Sequence, residues 1–405
     1  RKVEPRVPPE PAADLFDEFL EGSGDRTVAT TMAYVRLLGK ILKDEAIGRL
    51  VVPIIPDEAR TFGMDALFRQ AGIHAHGGQR YEPVDRANLI YYREDNAGQI
   101  LEEGITEAGS MSSFIAAGTS YAVHDRPMIP FFSFYSMFGF QRVGDLIWAA
   151  GDMQARGFLV GATAGRTTLP GEGLQHQDGH SHLLALAHPT VAAYDPAYAY
   201  EIAVIVREGI RRMVHRGENL IVYMTVENQQ VAMPPMPEGS EEGILRGMYR
   251  VRRSERSGHE DTPCVDLFGS GAILGEALRA AEHIEERTGA AADVWSVTSY
   301  QSLLRDGLDA ERQACLHPEQ KARTPYLTSL LAERGGVTVA ASDYVKALPS
   351  TVARWVPGSY TVLGTDGFGR SDNRGALRDF FEVDARHIAL AALAGLARKG
   401  EIEPS

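Results

Sequence analysis

Short apolar runs alternate with helical patterns along residues 27–226, and this alternation limits the possible fold more than any other feature. Each run has the length of one buried strand, although Pro53 weakens the first prediction. The runs are residues 50–55, 126–134, 158–162, 191–194 and 219–226, and a long helix is predicted directly after Phe134. Because parallel strands need long crossovers, strands alternating with helices predict an α/β fold with a doubly wound, mostly parallel sheet.

A second group of strand-like segments follows a proline-rich run, MPPMPEGS, at residues 233–240. The segments are CVDLFGSGAIL, ADVWSVTSY, GVTVAASDY and SYTVLGTDGFG, and they predict a smaller α/β domain. At the other end of the chain, four prolines favour an extended tether with one short amphipathic turn around residues 15–20. We therefore predict a Pro-rich linker at 1–25, a first domain at 26–250 and a second at 251–405.

Charge and composition argue against several classes of protein. The net charge of −13 and the pI near 5.4 disfavour nonspecific binding to nucleic acid or to a membrane surface, since both need a basic face. The two cysteines, Cys264 and Cys315, offer neither a disulfide framework nor a thiolate zinc site. With no membrane-length apolar run and no signal peptide, we expect a cytoplasmic protein. The chain starts at Arg1 rather than Met, which a processed or truncated piece of a longer protein would show.

Three carboxylates interrupt a segment of small and apolar residues at 98–121; they are Glu102, Glu103 and Glu107. On a helix, Glu103 and Glu107 would share a face, and the two carboxylates would repel each other. This repulsion destabilises the helix less if one carboxylate is paired with another group. The alternative is a helix end with solvated acids. Asp57 and Glu58 form a second pair, between a predicted strand and a predicted helix. In α/β folds, residues at such a position commonly contact a ligand. Alternatively, the two acids interact favourably with the positive end of the helix dipole.

An aromatic run is followed by a loop rich in glycine and histidine. The residues of interest are Tyr135, Phe138, Phe140, His176, His180 and His182. Together with the carboxylates, they suit a planar heterocyclic cofactor and proton transfer. Taken alone, the aromatic run also fits a core, and the histidines also fit an ordinary loop or a metal site, although nearby glycines disfavour a metal-binding helix. The sequence contains neither a phosphate-binding loop nor a GxSxG elbow.

Several long stretches, taken together, are far more specific than any single cluster. They closely resemble the first, decarboxylating component of the homodimeric type of bacterial pyruvate dehydrogenase complex, over nearly the whole chain. The stretches are IPDEARTFGMDALFRQ, GQILEEGITEAG, PMIPFFSFYSMFGFQRVGDLIWAAGD, ARGFLVGATAGRTTLPGEGLQHQDGHSH, YDPAYAYE, VWSVTSY and LGTDGFGRSD. The resemblance implies a thiamine-diphosphate enzyme related to transketolase, with a pyrimidine-binding domain and a transketolase-like C-terminal domain.

The resemblance also implies roles for particular residues. Glu107 matches the family glutamate that hydrogen-bonds the aminopyrimidine ring nitrogen, which favours the imino tautomer needed to activate the cofactor. Phe138 matches the aromatic residue that stacks on the pyrimidine, and Ile105 is expected to line that pocket. A carboxylic acid at position 107 suits this chemistry because it can hold and return a proton.

Five further residues match positions around the reacting centre or the cofactor. Tyr135, Arg142 and His176 match residues near the reacting carbon and the bound intermediate. Asp57 and Glu58 match an acidic pair at the cofactor end, and we expect Glu58 to handle protons or to connect the two active sites. His180 and His182 are expected to be mostly structural.

The resemblance does not include the residues that bind the diphosphate. Complete family members begin with a domain whose GDG motif holds Mg²⁺ and the diphosphate through hard oxygen ligands. This sequence has no GDG motif, because Gly144-Asp145 and Gly151-Asp152 are not followed by glycine. The implied cofactors, thiamine diphosphate and Mg²⁺, must therefore be completed by another domain or chain, and we assign no metal ligand here. Two explanations stay open: a truncated one-chain enzyme, or the second subunit of a split enzyme.

Three functional hypotheses remain. The first is decarboxylation of a 2-keto acid, most simply pyruvate, with reductive acyl transfer to a lipoyl group on an acyltransferase. The second is a split-enzyme subunit that moves a glycolaldehyde-type unit from a ketose phosphate to a lipoyl group or carrier-protein thiol. The third is a non-catalytic interaction module. We favour an enzyme, because a scaffold needs no such set of side chains. The family implies a dimer of this chain, or a heterotetramer with a separate diphosphate-binding chain.

Overall fold

A computed structural model describes residues 7–171, 173–258, 262–332 and 336–403. The chain forms two compact units. The first comprises Arg1–Ala164, Leu184–Ala192 and Tyr198–Met236, and the second comprises Gly165–Leu183, Ala193–Ala197 and Pro237–Ser405. The chain finally leaves the first unit inside the predicted proline-rich run, after Met236. The domain boundaries predicted from the sequence stay predictions.

The amino-terminal part of the chain builds a six-stranded sheet. The strands of this part of the chain, inside and outside that sheet, are β1 (Thr27–Val28), β2 (Val51–Ile55), β3 (Ile73–His74), β4 (Glu94–Asp95), β5 (Leu101–Glu102), β6 (Ile129–Tyr135), β7 (Gly157–Ala162), β8 (Val191–Tyr194), β9 (Ile221–Thr225) and β10 (Val231–Ala232). The sheet has the order β5-β2-β6-β7-β9-β8, and β2, β5, β6, β7 and β9 pair in parallel. The shorter strands form two pairs, β1 with β10 and β3 with β4.

The helices between these strands follow the predicted alternation. They are α1 (Asp17–Leu20), α2 (Thr30–Ile41), α3 (Ala66–Ala71), α4 (Glu107–Gly118), α5 (Ser120–Val123), α6 (Phe140–Asp152), α7 (Ser181–Ala185) and α8 (Ala199–Ile210). All seven residues of β6 are buried, as expected for a central strand that is covered on both faces. On this strand Phe131 stacks against Phe158 of β7, with ring centres 4.3 Å apart. The predicted doubly wound α/β fold is therefore confirmed.

The helix predicted after Phe134 begins later than the sequence indicated. β6 continues through Tyr135, a 3₁₀ turn covers Ser136–Phe138, and α6 starts at Phe140. Gly139 makes this break possible, since a Cβ atom there would lie 2.2 Å from the ring of Phe134. The break separates the end of β6 from the helix and leaves Phe138 on the connecting turn.

Residues 12–20 differ from the predicted extended tether. Leu15, Phe16 and Phe19 are buried, and the expected amphipathic turn is the helix α1. The backbone N–H of Ala12 also donates to the carboxylate of Asp44 at 2.9 Å. Burial of three apolar side chains outweighs the extended preference of the nearby prolines. Residues 1–6 of the predicted linker lie outside the described residues.

The second unit contains a mixed five-stranded sheet. Its strands are β11 (Tyr249–Arg252), β12 (Cys264–Gly269), β13 (Ala291–Ser296), β14 (Val337–Ala341) and β15 (Ser359–Leu363). Its helices are α9 (Glu241–Arg246), α10 (Leu274–Thr288), α11 (Tyr300–Leu316), α12 (Tyr326–Leu331), α13 (Ala347–Ser350), α14 (Arg374–Phe380) and α15 (Ala385–Lys399). The order is β11-β13-β12-β14-β15, and among the described strands of this sheet only the β11–β13 pairing is antiparallel. No helix in the described ranges is both long and apolar enough to cross a bilayer.

Candidate functional site

The carboxyl ends of three neighbouring strands collect most of the predicted site residues of the first unit. β2 lies between β5 and β6, and the chain adds β5 on one side before it adds β6 on the other. The gap beside β2 is thus a topological switch point, where ligands commonly bind in open α/β sheets. Asp57 and Glu58 follow β2, Glu107 comes after β5, and Tyr135 is the last residue of β6.

Glu107 is a buried carboxylate at the start of a helix. It is the first residue of α4 and is 8% exposed. The Thr106 side chain caps this helix by accepting a hydrogen bond from the Gly109 N–H at 3.2 Å, and an acid in the first turn is favoured by the helix dipole. Arg142 Nη1 donates to both carboxylate oxygens of Glu107, at 3.2 and 3.1 Å. The sequence therefore places a charge-balanced carboxylate at the edge of the sheet.

Arg142 links this carboxylate to the aromatic residues. Its guanidinium carbon lies 3.9 Å from the centre of the Phe138 ring. The Tyr135 ring meets Phe138 edge-on at 6.0 Å and Phe62 edge-on at 5.3 Å. The Arg142 side chain is 50% exposed, so it can move aside without breaking the core. The structure thus brings together four of the predicted residues: Glu107, Phe138, Arg142 and Tyr135.

Two other predicted residues are more loosely placed. Ile105 lies between β5 and α4 and is 79% exposed, so this unit does not bury it in a pocket. Glu58 is half-buried and accepts a hydrogen bond from the Thr61 hydroxyl at 3.2 Å. The roles suggested for Ile105 and Glu58 stay predictions.

Asp57 and Glu102 form an acidic pair at the ends of β2 and β5. Asp57 has a φ of 59°, in the left-handed region that non-glycine residues seldom adopt. The pKa of Glu102 is raised to about 7 by burial, by the charge of Asp57 and by a hydrogen bond with it, while Arg60 opposes the rise. Arg60 itself pairs with Asp85. Glu102 is therefore a titratable neighbour of the predicted site to which sequence reasoning gave no role.

Replacing Glu102 with glutamine is expected to stabilise the protein above neutral pH. The folded-state pKa of about 7 exceeds the ordinary value of 4.5, so the stability that Glu102 contributes is present below about pH 4.5 and is lost as pH rises through 7. The variant avoids that loss. After allowance for solvent screening, we expect a gain of about 1–2 kcal/mol in the free energy of unfolding at about pH 8. Urea unfolding at about pH 8 and below pH 4.5 measures it.

The exposed Glu82 offers a matched control for this measurement, because its ion pair with Arg86 is solvent-screened. Glu82→Gln should change the unfolding free energy little at either pH. An equal gain for Glu102→Gln at both pH values would contradict the assignment of a raised Glu102 pKa.

The histidine loop belongs to the second unit, although the sequence placed it in the first predicted domain. His176 is half-buried at the end of a 3₁₀ turn, Leu174–His176. His182 is 5% exposed and packs edge-on against Tyr344 at 4.8 Å. Burial lowers the pKa of His182 to about 4, against the opposing charge of Asp178. A neutral imidazole packed in a core is consistent with the structural role predicted for His182.

One group in the described ranges brings three potential metal ligands within 4.8 Å of one another: Asp379, Asp384 and His387. Arg386 pairs with both aspartates at 2.6 Å, and Asp384 caps α15 by accepting from the His387 N–H at 3.0 Å. These contacts explain the group as a helix cap. It contains none of the histidines of the predicted loop.

Sequence reasoning did not single out the residues that anchor the histidine loop. Asp343, Arg166 and Gln177 are buried and make hydrogen bonds within the second unit. A signal was present in the polar pair Ser342-Asp343, which directly follows an apolar strand. Its partner segment lies more than a hundred residues earlier, so no local pattern connects the two.

Two family descriptions match the sequence. Residues 9–234 match the pyruvate dehydrogenase E1 component middle domain. Residues 247–384 match the transketolase-like C-terminal domain. Relatives named pyruvate dehydrogenase E1 component include those of Pseudomonas aeruginosa, with 55% identity over 98% of this chain, and Escherichia coli, with 51% identity over 97%. The chain spans less than half of these relatives, 45% and 44% of their respective lengths.

Solved structures support the fold. A transketolase from Leishmania mexicana superposes with a TM-score of 0.69 at 16% identity, covering 96% of this chain and 48% of that one. A split-gene transketolase, described as an inactive β4 tetramer, gives a TM-score of 0.59 at 17% identity and covers 91% of this chain and 98% of that one. These likenesses show a transketolase-like fold. Taken with the close relatives and the matched domains, they show that the chain belongs to the pyruvate dehydrogenase E1 component family.

Proposed function

We propose that this chain supplies the aminopyrimidine side of a thiamine diphosphate site that decarboxylates a 2-keto acid. The observation that carries the proposal is the cluster of Glu107, Arg142 and Phe138 beside a switch point of the sheet. In this cluster, the Arg142 guanidinium contacts both a buried carboxylate at the start of a helix and an aromatic ring. A flat, nitrogen-bearing ring would find both a hydrogen-bonding acid and a stacking surface there.

The residues present fit such a ring. The Ser136 hydroxyl, on the same turn as Phe138, is buried without a hydrogen-bond partner among the described residues. Arg142 is half-exposed and covers Phe138, so its movement would open the ring face while Glu107 stays in place. When bound, thiamine diphosphate supplies a nucleophilic carbon and an electron sink for loss of carbon dioxide from the 2-keto acid.

The chain's own residues would then bind, orient and exchange protons. Glu107 would hold a proton on a carboxylate oxygen toward the pyrimidine nitrogen, and Phe138 would orient the ring by stacking. Tyr135 carries a phenol at the end of β6, where it can donate a hydrogen bond to a bound carbonyl or carboxylate. His176 and Glu58 are proposed as proton-exchanging groups for the substrate.

The proposed substrate is pyruvate, and the proposed acyl acceptor is a lipoyl group on an acyltransferase. The name of the relatives, pyruvate dehydrogenase E1 component, supports pyruvate over a ketose phosphate and supports an enzyme over a scaffold. Asp57 is proposed to lie toward the cofactor.

The diphosphate and a divalent metal, proposed as Mg²⁺, need hard oxygen ligands of the GDG type that this sequence lacks. We therefore assign their binding to a diphosphate-binding domain or chain. The split-gene transketolase chain, which has nearly the extent of this one, is described as an inactive tetramer of that chain alone. By analogy, we propose that this part of the protein assembles with a second copy of itself and is inactive without a diphosphate-binding domain or chain.

Calorimetry with thiamine diphosphate and Mg²⁺ tests the proposal, first on the chain alone and then on its mixture with a GDG-bearing chain. We expect tight binding only in the mixture, together with release of carbon dioxide from pyruvate. Tight binding by the isolated chain would contradict the division of the cofactor between two domains. A mixture that binds the cofactor but releases no carbon dioxide from any 2-keto acid would contradict the catalytic role.

A further inference from the structure

The five-stranded sheet also has a topological switch point, and the aspartate next to it is bonded to another part of the chain. β12 lies between β13 and β14, which follow it in sequence on opposite sides. Ser270 and Ser342 follow β12 and β14, and their buried hydroxyl oxygens lie 3.3 Å apart. An external ligand would be expected at such a crevice. Here Asp343, the next residue after Ser342, bonds instead to the start of the 165–183 loop.

Asp343 is a buried anchor for the first part of that loop. It is 1% exposed, and its Oδ1 accepts from the Thr167 N–H at 2.8 Å. Its Oδ2 accepts from the Thr168 hydroxyl at 2.6 Å. Gly165 permits this approach, since its φ is 91° and an added Cβ would lie 2.4 Å from Asp343 Oδ2. Hydrogen bonds to a buried carboxylate are among the stronger ones in proteins, so this end of the loop is firmly held.

Gln177 anchors the other end of the loop. It is 1% exposed, and its Nε2 donates to the Leu169 carbonyl at 3.1 Å and to the Arg370 carbonyl at 2.9 Å. Its Oε1 accepts from the Arg370 N–H at 2.8 Å. Arg166 also donates to the carbonyls of Thr365 and Gly367. The loop is therefore tied to Thr365 and Gly367 through Arg166, and to Arg370 through Gln177, which directly follows His176.

We infer that Asp343, acting together with Gln177, is a positioning residue for His176. The two anchors hold residues 167–169 and 177, and Gln177 directly follows the 3₁₀ turn that ends at His176. The second unit would thus hold the His176 imidazole in place. The functional meaning of this inference rests on the proposed role of His176, but the anchoring itself can be measured without cofactor.

The main test uses Asp343→Asn and Thr168→Val in this chain, with Asp372→Asn as the control. The control Asp372→Asn removes one negative charge, as Asp343→Asn does. The Asp372 carboxylate accepts hydrogen bonds from its neighbour Asn373. Hydrogen exchange followed by mass spectrometry should show exchange of residues 165–178 that is about tenfold faster or more in both test variants, and unchanged in the control. The His176 ring resonance, assigned by a His176→Gln variant, should shift and broaden in the same two variants.

Turnover gives the second readout, in the mixture with a diphosphate-binding chain. We expect kcat to fall about tenfold in Asp343→Asn while the affinity for thiamine diphosphate is unchanged, because His176 is misplaced rather than removed. If Asp343→Asn does not fold, Thr168→Val decides, since it removes one hydroxyl and keeps the volume. Folded variants with unchanged exchange and an unchanged His176 resonance would overturn the inference. If hydrogen exchange of the loop changes in these variants but the wild-type mixture shows no turnover, the proposed function is refuted and the anchoring of the loop by Asp343 is still supported.

Discussion

Glu107→Gln is expected to lower turnover of the reconstituted enzyme by two to four orders of magnitude, because positioned acid–base groups contribute about that factor. This corresponds to roughly 3–5 kcal/mol in the activation free energy. Glutamine matches the shape of glutamate and can still accept a hydrogen bond from Arg142, but it cannot hold an exchangeable acidic proton. Steady-state release of carbon dioxide from pyruvate, with the diphosphate-binding partner in excess, measures the loss.

Glu103→Gln is the matched control, four residues earlier. Glu103 accepts a hydrogen bond from Ser113 and has no place in the proposed chemistry, so its variant should keep most of the activity. Far-UV circular dichroism and thermal unfolding of both variants should resemble those of the wild type. Normal turnover by Glu107→Gln would refute the assignment of Glu107 to the cofactor.

Glu276→Ala is expected to lower the free energy of unfolding of the second unit by about 3 kcal/mol or more. Glu276 and Arg378 are a buried ion pair, 5% and 4% exposed, with Oε1 and Nη1 2.8 Å apart. Glu276 Oε2 also accepts from the Ala385 N–H at 3.0 Å, at the start of α15. Alanine would remove the carboxylate, so the buried Arg378 guanidinium would lose its anionic partner and the Ala385 N–H would lose its acceptor.

Chemical denaturation of the chain, followed by tryptophan fluorescence, measures this effect. Glu282→Ala provides the control, because Glu282 is exposed on the same helix, α10. It should change stability by no more than about 0.5 kcal/mol. A loss for Glu276→Ala as small as that of the control would mean that the buried pair contributes nothing net. Because Arg378 also donates to the hydroxyls of Thr167 and Thr168, faster exchange in that segment should accompany the loss of stability.

Much of the fold followed from local pattern. Residues 158–162 and 219–226 are continuous apolar runs, and they form β7 and β9, which lie side by side in parallel. The differences from prediction lie where packing, rather than local pattern, decides the backbone. The predicted helix after Phe134 was delayed because Gly139 packs against the Phe134 ring, and the predicted tether carries Leu15, Phe16 and Phe19 into the core.

Part of the candidate site was also predicted from the sequence, and part was found only in the structure. Residue types and their resemblance to a known family singled out Glu107, Phe138, Tyr135 and Arg142, and the structure joins these four through contacts of Arg142 and Phe138. The sequence did not reveal that Glu102 forms an acidic pair with Asp57, since α3, β3 and β4 lie between β2 and β5 along the chain. The roles of Glu58, Ile105 and His176 stay predictions.

The sequence alone determined the class of fold, the family and the chemical types available at the site, because apolar periodicity and long ordered motifs are local properties of the chain. Only the tertiary structure decided which unit holds the histidine loop. That choice depends on Asp343 and Gln177, whose hydrogen bonds to Thr167 and Arg370 join residues 176 and 193 positions apart. Such bonds form only after the second unit has folded and excluded water from the anchors, and no local pattern in the sequence encodes that exclusion.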